Sequence, residues 1–140
     1  MRTALIFGSS GLVGGHVLNH IIKDTNYSKI KLFVRSDPQI NDGKVEIIKT
    51  DFSNLEQYRD KIIGDDCFFC IGTTKKDTPN KDEYRRVEYN IPVDVAKIAK
   101  ANSVKSFYYV SSIGANPNAS SNYLKNKGQV EGELKNLNFS

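Results

Sequence analysis

The sequence predicts an α/β protein built on a parallel sheet that is wound on both faces. Three observations carry this. Short strand-like runs recur along the chain, among them Ala4–Phe7, Lys31–Arg35, Val45–Lys49, Cys67–Ile71 and Ser106–Val110. Several are apolar throughout rather than alternating, as expected of strands buried on both faces. Helical spacing separates some of them, and the first strand runs straight into Gly8-Ser9-Ser10-Gly11-Leu12-Val13-Gly14 before a helical pattern begins.

Taken in order, Thr3–Phe7 is the first strand and Gly11–Lys23 the first helix, its apolar face made by Val13, Val17 and Ile21. A strand, a glycine turn and a helix N-terminus suit a dinucleotide's pyrophosphate. Glycine lets backbone approach the phosphates, and the first helical turn offers unpaired N–H groups with partial positive charge. Gly8, Ser10, Gly11, Leu12, Val13 and Gly14 are therefore the expected cofactor contacts, and the fold class is a Rossmann-type doubly wound sheet. His16 and His20, four apart on this helix, have no acidic or cysteine ligand beside them. They are expected to be surface or packing residues rather than a metal site.

The second strand, Lys31–Arg35, ends at Arg35 and Ser36. An acid near this point would bind the ribose hydroxyl of NAD, whereas arginine accommodates the 2′-phosphate of NADP. Asp37 stands two positions later and precedes Pro38. The expectation is NADP(H) in preference to NAD(H), with a plain surface arginine as the alternative. Lys44–Lys49 holds the third strand. Asp51 follows at its end, as an adenine contact or as a helix-start acid, and Ser53-Asn54-Leu55-Glu56 has the capping-box pattern.

The fourth strand is Cys67–Ile71. Residues three apart on a strand point to opposite faces, so Cys67 and Cys70 are expected as packing residues and not as a redox pair. Ile71 and Gly72 follow at the ligand edge. Thr78-Pro79 is the expected start of a helix reaching about Ala101, with Pro92 in its interior either kinking it or costing a hydrogen bond. Ser106–Val110 is the fifth strand.

Ser111 and Ser112 close the fifth strand, and Tyr123 and Lys127 lie one helical turn apart beyond them. An ammonium beside a tyrosine favours the phenolate, making the hydroxyl a usable acid or base near neutral pH. A serine hydroxyl can hydrogen-bond a substrate oxygen. A surface tyrosine on an amphipathic helix is the alternative. Gly128 and Gly132 would suit close helix packing, between subunits or within one.

The 140 residues suit one domain, and 39% hydrophobic with 26% charged residues is an ordinary globular composition. No apolar run approaches the roughly 18 residues of a membrane helix. The chain opens directly on a strand, so no signal peptide is expected. With two cysteines and no disulfide framework, the expected setting is cytoplasmic. The net charge of +4 comes from scattered basic residues, so nucleic acid is not an expected partner; a small-molecule substrate is.

Together Gly8-x-x-Gly11-x-x-Gly14, Arg35, Asp51, Ile71-Gly72, Ser111-Ser112 and Tyr123-x-x-x-Lys127 resemble the short-chain dehydrogenase/reductase family. Cys70–Thr74, Ser111–Ala115 and the segment from Tyr123 to Glu131 look most like its atypical branch, which includes the Tat-interacting-protein oxidoreductases. The resemblance implies Tyr123 as catalytic acid/base, and Lys127 as the residue that binds the nicotinamide ribose and tunes Tyr123. It implies Ser112 as the residue that orients substrate. It also implies an NADP(H)-dependent oxidoreductase acting on a carbonyl or alcohol. A non-catalytic NADP(H)-binding regulatory or redox-sensing protein is the alternative. Beyond a small-molecule substrate, the candidate partners are a second copy of the chain or another protein. The chain departs from the family where Ile71-Gly72-Thr73 replaces Asn-Ala-Gly. It is also expected to be a cofactor-binding domain over 1–140 that stops after the fifth strand and following helix, lacking the substrate-binding part.

Overall fold

A computed structural model of the protein describes residues 2–72, 78–110, 118 and 121–139. Five strands form one sheet: β1 (Arg2–Phe7), β2 (Tyr27–Val34), β3 (Val45–Lys49), β4 (Asp66–Phe69) and β5 (Ser106–Tyr109). Every pairing is parallel and the order is β3-β2-β1-β4-β5. The strand order reverses between β1 and β4, and the C-terminal ends of strands at such a switch point are where sheets of this kind hold ligands.

The helices are α1 (Leu12–Lys23), α2 (Lys81–Arg85), α3 (Ile91–Ala101) and α4 (Asn122–Leu137). The pleat of β1 explains why both faces need cover. Ala4 and Ile6 point into one core with Leu18 and Ile21 of α1. Leu5 and Phe7 point into the other, with Ile91, Val95 and Ile98 of α3. All four β1 side chains are fully buried. At about 1.5–3 kcal/mol for each large apolar side chain removed from water, Leu5, Ile6 and Phe7 make β1 the strand the fold can least lose. Along the ligand edge Phe33, Phe7 and Phe69 lie side by side, with Phe7 and Phe33 stacked at 4.3 Å between centroids.

The opposite edge is held by charge. Asp66 is fully buried, accepts a hydrogen bond from the Tyr27 hydroxyl at 2.7 Å and pairs with the half-exposed Arg2 at 2.5 Å. Burial and this carboxylate push the Tyr27 hydroxyl well above the ordinary tyrosine range.

Residues 35–44 between β2 and β3 form no helix, and Lys44 reaches back to donate to the carbonyls of Ile22 and Asp24 at the end of α1. Other expectations are corrected locally. The capping box does not form. Ser53 donates both its N–H and its hydroxyl to the Asp51 carboxylate, and a 3-10 turn over Leu55–Lys61 starts from Asn54 without a side-chain cap. The expected long helix is divided. Asn80, not Thr78, caps α2 by accepting from the Glu83 N–H. A π-helical segment, Arg86–Asn90, joins α2 to α3, with Pro92 in the first turn of α3. Proline there needs no N–H bond, so the wide turn before it absorbs what would have been a kink. Leu137 ends α4, Asn138 turns left-handed, and Phe139 packs on Phe107.

Candidate nucleotide site at the glycine turn

Three glycines organise the turn, for different reasons. Gly8 has φ +90°, and a Cβ there would meet the backbone of Cys70 and Ile71 at 2.7 Å. A Cβ on Gly14 would sit 1.9 Å from the Gly8 carbonyl oxygen, so only glycine lets α1 pack this close to the end of β1. Gly11 differs: its φ is −78°, and among the described residues a Cβ would find only the Gly8 oxygen, at an ordinary 3.7 Å. Neither its conformation nor its packing among the described residues requires glycine at Gly11.

Gly11 is the N-cap of α1, with no side-chain cap and no acidic residue in the first turn. The first N–H groups therefore keep their partial positive charge. Ser10 and Gly11 are exposed, as are Leu12 at 81% and Val13 at 45%. Beneath them the buried Ser9 hydroxyl has no hydrogen-bond partner among the described residues. Ser9 is a residue that the glycine spacing alone does not single out.

The neighbouring strand ends bring the other expected residues to this edge. Gly8 follows Phe7, which is paired with Phe33 of β2 and Phe69 of β4. Arg35 and Ser36 stand exposed just past β2, and Arg35 makes no ion pair among the described residues. Asp37 is spent locally, accepting from the Gln39 N–H at 2.7 Å. Asp51 is exposed past β3, its carboxyl held below the usual range first by the Ser53 hydroxyl and then by the Ser53 N–H. Ile71 and Gly72 continue β4 on the other side of the turn.

Tyr123 and Lys127 do meet. The Lys127 ammonium lies 5.5 Å from the Tyr123 ring centroid and 5.0 Å from that of Tyr109. Tyr123 is partly exposed at 39%, whereas Lys127 is buried at 4%. Lys127 also lies 3.9 Å from the buried Glu88 carboxylate. Burial pushes the Lys127 ammonium down from its ordinary range, and Glu88 opposes that shift. A Cβ on Gly72 would stand 3.6 Å from Glu88, so this acid lies between the end of β4 and α4. Glu88 was missed by motif reasoning. It was legible as the one acid on an apolar helix face, four residues after Tyr84 and three before Ile91. Ser111 and Ser112 lie outside the described residues.

Among the described residues no group of His, Cys, Asp and Glu could hold a metal, and His16 and His20 are exposed. Cys67 is buried on β4 and Cys70 half-buried past its end, both free. Gly128 is buried and Gly132 exposed, so the two do not form one external face. No helix among the described residues is long and apolar enough to cross a membrane.

A family model described as NAD(P)H-binding matches residues 8–139. The chain belongs to that family. It is 34% identical over 140 residues to Protein FMP52-1, mitochondrial, of Scheffersomyces stipitis, covering 98% of this chain and 62% of that protein. It is 32% identical over 144 residues to Protein HTATIP2 of Rattus norvegicus, covering 99% of this chain and 59% of that one. The fold matches Bordetella bronchiseptica WbmG, solved in complex with NAD, at TM-score 0.78 and 16% identity, over 99% of this chain and 50% of that one. It matches Citrobacter triphenylmethane reductase at TM-score 0.75 and 19% identity, over 98% of this chain and 46% of that one. The chain thus spans about three-fifths of these curated relatives and about half of these solved chains. These likenesses fit the atypical short-chain dehydrogenase/reductase resemblance seen in the motifs.

The cytoplasmic expectation is corrected. FMP52 proteins of Scheffersomyces stipitis, Debaryomyces hansenii and Candida glabrata are named mitochondrial. Free thiols report a reducing environment and carry no address, so cysteine usage had no power to distinguish these compartments.

Proposed function

We propose that this chain is the cofactor-binding part of an NADP(H)-dependent oxidoreductase of the short-chain dehydrogenase/reductase type, acting on a carbonyl or alcohol. The observation that carries the reading is Gly11. The described residues make no demand for glycine there, yet the position caps a helix N-terminus that has no side-chain cap. A pyrophosphate needs that space and the N–H donors of such a helix start. The backbone of Gly8, Ser10, Gly11, Leu12, Val13 and Gly14 would hold it. Arg35 and Ser36 would hold the 2′-phosphate, Arg35 through two parallel charged hydrogen bonds. Asp51 would border the adenine, and Ile71 and Gly72 the inner face of the crevice.

A nicotinamide cofactor supplies the hydride. In this reading Tyr123 passes the proton to or from the substrate oxygen, Ser112 orients that oxygen, and Lys127 holds the ribose and tunes Tyr123. The naming of the fungal relatives favours a mitochondrial setting.

One observation favours a second reading, a non-catalytic NADP(H)-binding regulator. The Lys127 ammonium is buried against Glu88 and so is already engaged by a carboxylate. Tyr123→Phe separates the two: the enzyme loses turnover with cofactor binding kept, and the regulator loses nothing.

The direct test is a titration of the purified chain with NADPH and with NADH, followed by cofactor fluorescence. Tighter binding of NADPH, with the preference abolished in Arg35→Ala, is expected. Equal affinity for both, unchanged in Arg35→Ala, would remove Arg35 from the site.

A further inference from the structure

A second concave site lies away from the glycine turn. Between α2 and the first half of α4 is a cavity of about 430 Å³. That is within the range of small-molecule sites. Pro79 and the buried ring of Tyr84 give it apolar surface, and Lys81, Arg85 and Lys125 line it with positive charge. No acidic side chain lines it among the described residues.

The arrangement of Arg85 is the informative part. A guanidinium withdrawn from solvent is ordinarily paired with a carboxylate, because an unbalanced charge is costly to desolvate. Arg85 is half-buried and is held instead by neutral acceptors. One nitrogen donates to the amide oxygens of Asn126 and Gln129, and the group stacks on Tyr89 with its carbon 3.7 Å from the ring centroid. These contacts fix the guanidinium without cancelling its charge. Of the nearby acids, Glu83 pairs with Arg86 at 2.6 Å, Glu133 accepts from the Tyr89 hydroxyl at 3.4 Å, and the buried Glu88 lies 3.9 Å from Lys127. Lys81 and Lys125 are exposed at the rim and make no ion pair among the described residues.

We infer that this cavity binds an organic anion: a molecule with an apolar body against Tyr84 and Pro79 and a carboxylate, sulfonate or phosphate group facing Arg85, Lys81 and Lys125. Arg85 supplies the fixed fork, suited to a planar or tetrahedral anion. The two lysines supply mobile charge at the mouth. Among the described residues, none of the expected nucleotide contacts lines the cavity. Tyr123 stands two residues before Lys125 on α4. Identifying the anion as the charged end of the substrate rests on the oxidoreductase reading; the binding itself does not.

The probe is 1-anilinonaphthalene-8-sulfonate, compared with N-phenyl-1-naphthylamine, which has the same rings and no charge. Fluorescence of each is titrated against the full chain, with and without saturating NADPH. The sulfonate is expected to bind roughly tenfold or more tightly than the neutral amine. The Lys81→Ala/Lys125→Ala variant is expected to lose about that factor. Both lysines are exposed, so this variant keeps the fold. Arg85→Gln, with circular dichroism to confirm folding, is expected to lose at least as much. Equal binding of the two probes overturns the inference, as does unchanged sulfonate binding in the lysine variant or displacement of the sulfonate by NADPH. NADPH binding is read in the same samples. Its absence alongside charge-dependent sulfonate binding would sink the cofactor reading and leave this site standing.

Discussion

Gly11 and Gly14 sit three residues apart in one motif, and their surroundings predict opposite consequences for the same substitution. At Gly14 an added methyl would lie 1.9 Å from the Gly8 oxygen, and the clash is with backbone. Gly14→Ala must push α1 off β1, and overpacking of this kind costs roughly 3 kcal/mol or more. At Gly11 the same methyl makes one ordinary contact at 3.7 Å. Gly11→Ala should cost under about 1 kcal/mol, the scale of an N-cap change. Its methyl would stand where phosphate oxygens approach, so NADPH affinity should fall roughly tenfold or more. Thermal melts and NADPH titrations of both variants check this pair. A Gly11→Ala protein that binds NADPH like the parent would show that the open side of the turn is not the phosphate site. The strand, glycine turn and helix were legible from the sequence, because the glycines follow an apolar run and open a helical pattern. What was not legible was the division of labour among the glycines, which depends on how closely β4 approaches the turn. Lys127 was legible as a partner of Tyr123 by its i, i+4 spacing. Its burial against Glu88 depended on a contact 39 residues distant, which no local pattern encodes.

At the scale of elements, the apolar strands and the first helix were legible because burial on both faces leaves a run that few other structures explain. β1, β4 and β5 differ from expectation only at their ends, while β2 starts earlier, at Tyr27. Helix starts were read less well. Ser53 and Thr78 have the chemistry of caps, but so do their neighbours, and the choice among such residues is settled by where the chain leaves the sheet. Asp51 captures Ser53 first, and Asn80 takes the cap of α2 with a 3.0 Å bond from the Glu83 N–H. Asn80→Ala is therefore expected to cost about 1 kcal/mol, and Asn80→Asp to restore most of it, since aspartate caps equally well. Chemical denaturation of the two variants is the measurement. Equal stability of Asn80→Ala and the parent would mean that α2 is held by its packing alone. The division of the long helix had a readable cause in Pro92. Its form did not, because a kink and a π turn are alternative answers to one missing N–H.

For the whole molecule, the sheet has one edge given to ligands and one given to structure, and the structural edge sets how the protein meets alkali. There the Tyr27 hydroxyl donates to the fully buried Asp66, and its pKa is raised, first by burial and then by that carboxylate. In the unfolded chain Tyr27 would ionise near pH 10. Above that pH the folded state still holds a proton that the unfolded state has released, so stability falls as pH rises. Tyr109, raised by its burial near the other edge, acts in the same sense. Lys127 acts in the opposite sense. Its lowered pKa is a cost to the folded state at neutral pH, relieved as pH climbs toward the unfolded value of about 10.4. Tyr27→Phe isolates the first contribution. At pH 7 it removes the hydrogen bond to a buried carboxylate and should be clearly less stable than the parent. Above pH 10 only the parent pays for keeping Tyr27 protonated, so the gap between the two should narrow steadily. Melting temperatures measured from pH 7 to 11 would show this. A gap that stays constant would mean that the Tyr27 proton is not linked to folding, and that Arg2 alone neutralises Asp66 beneath the sheet.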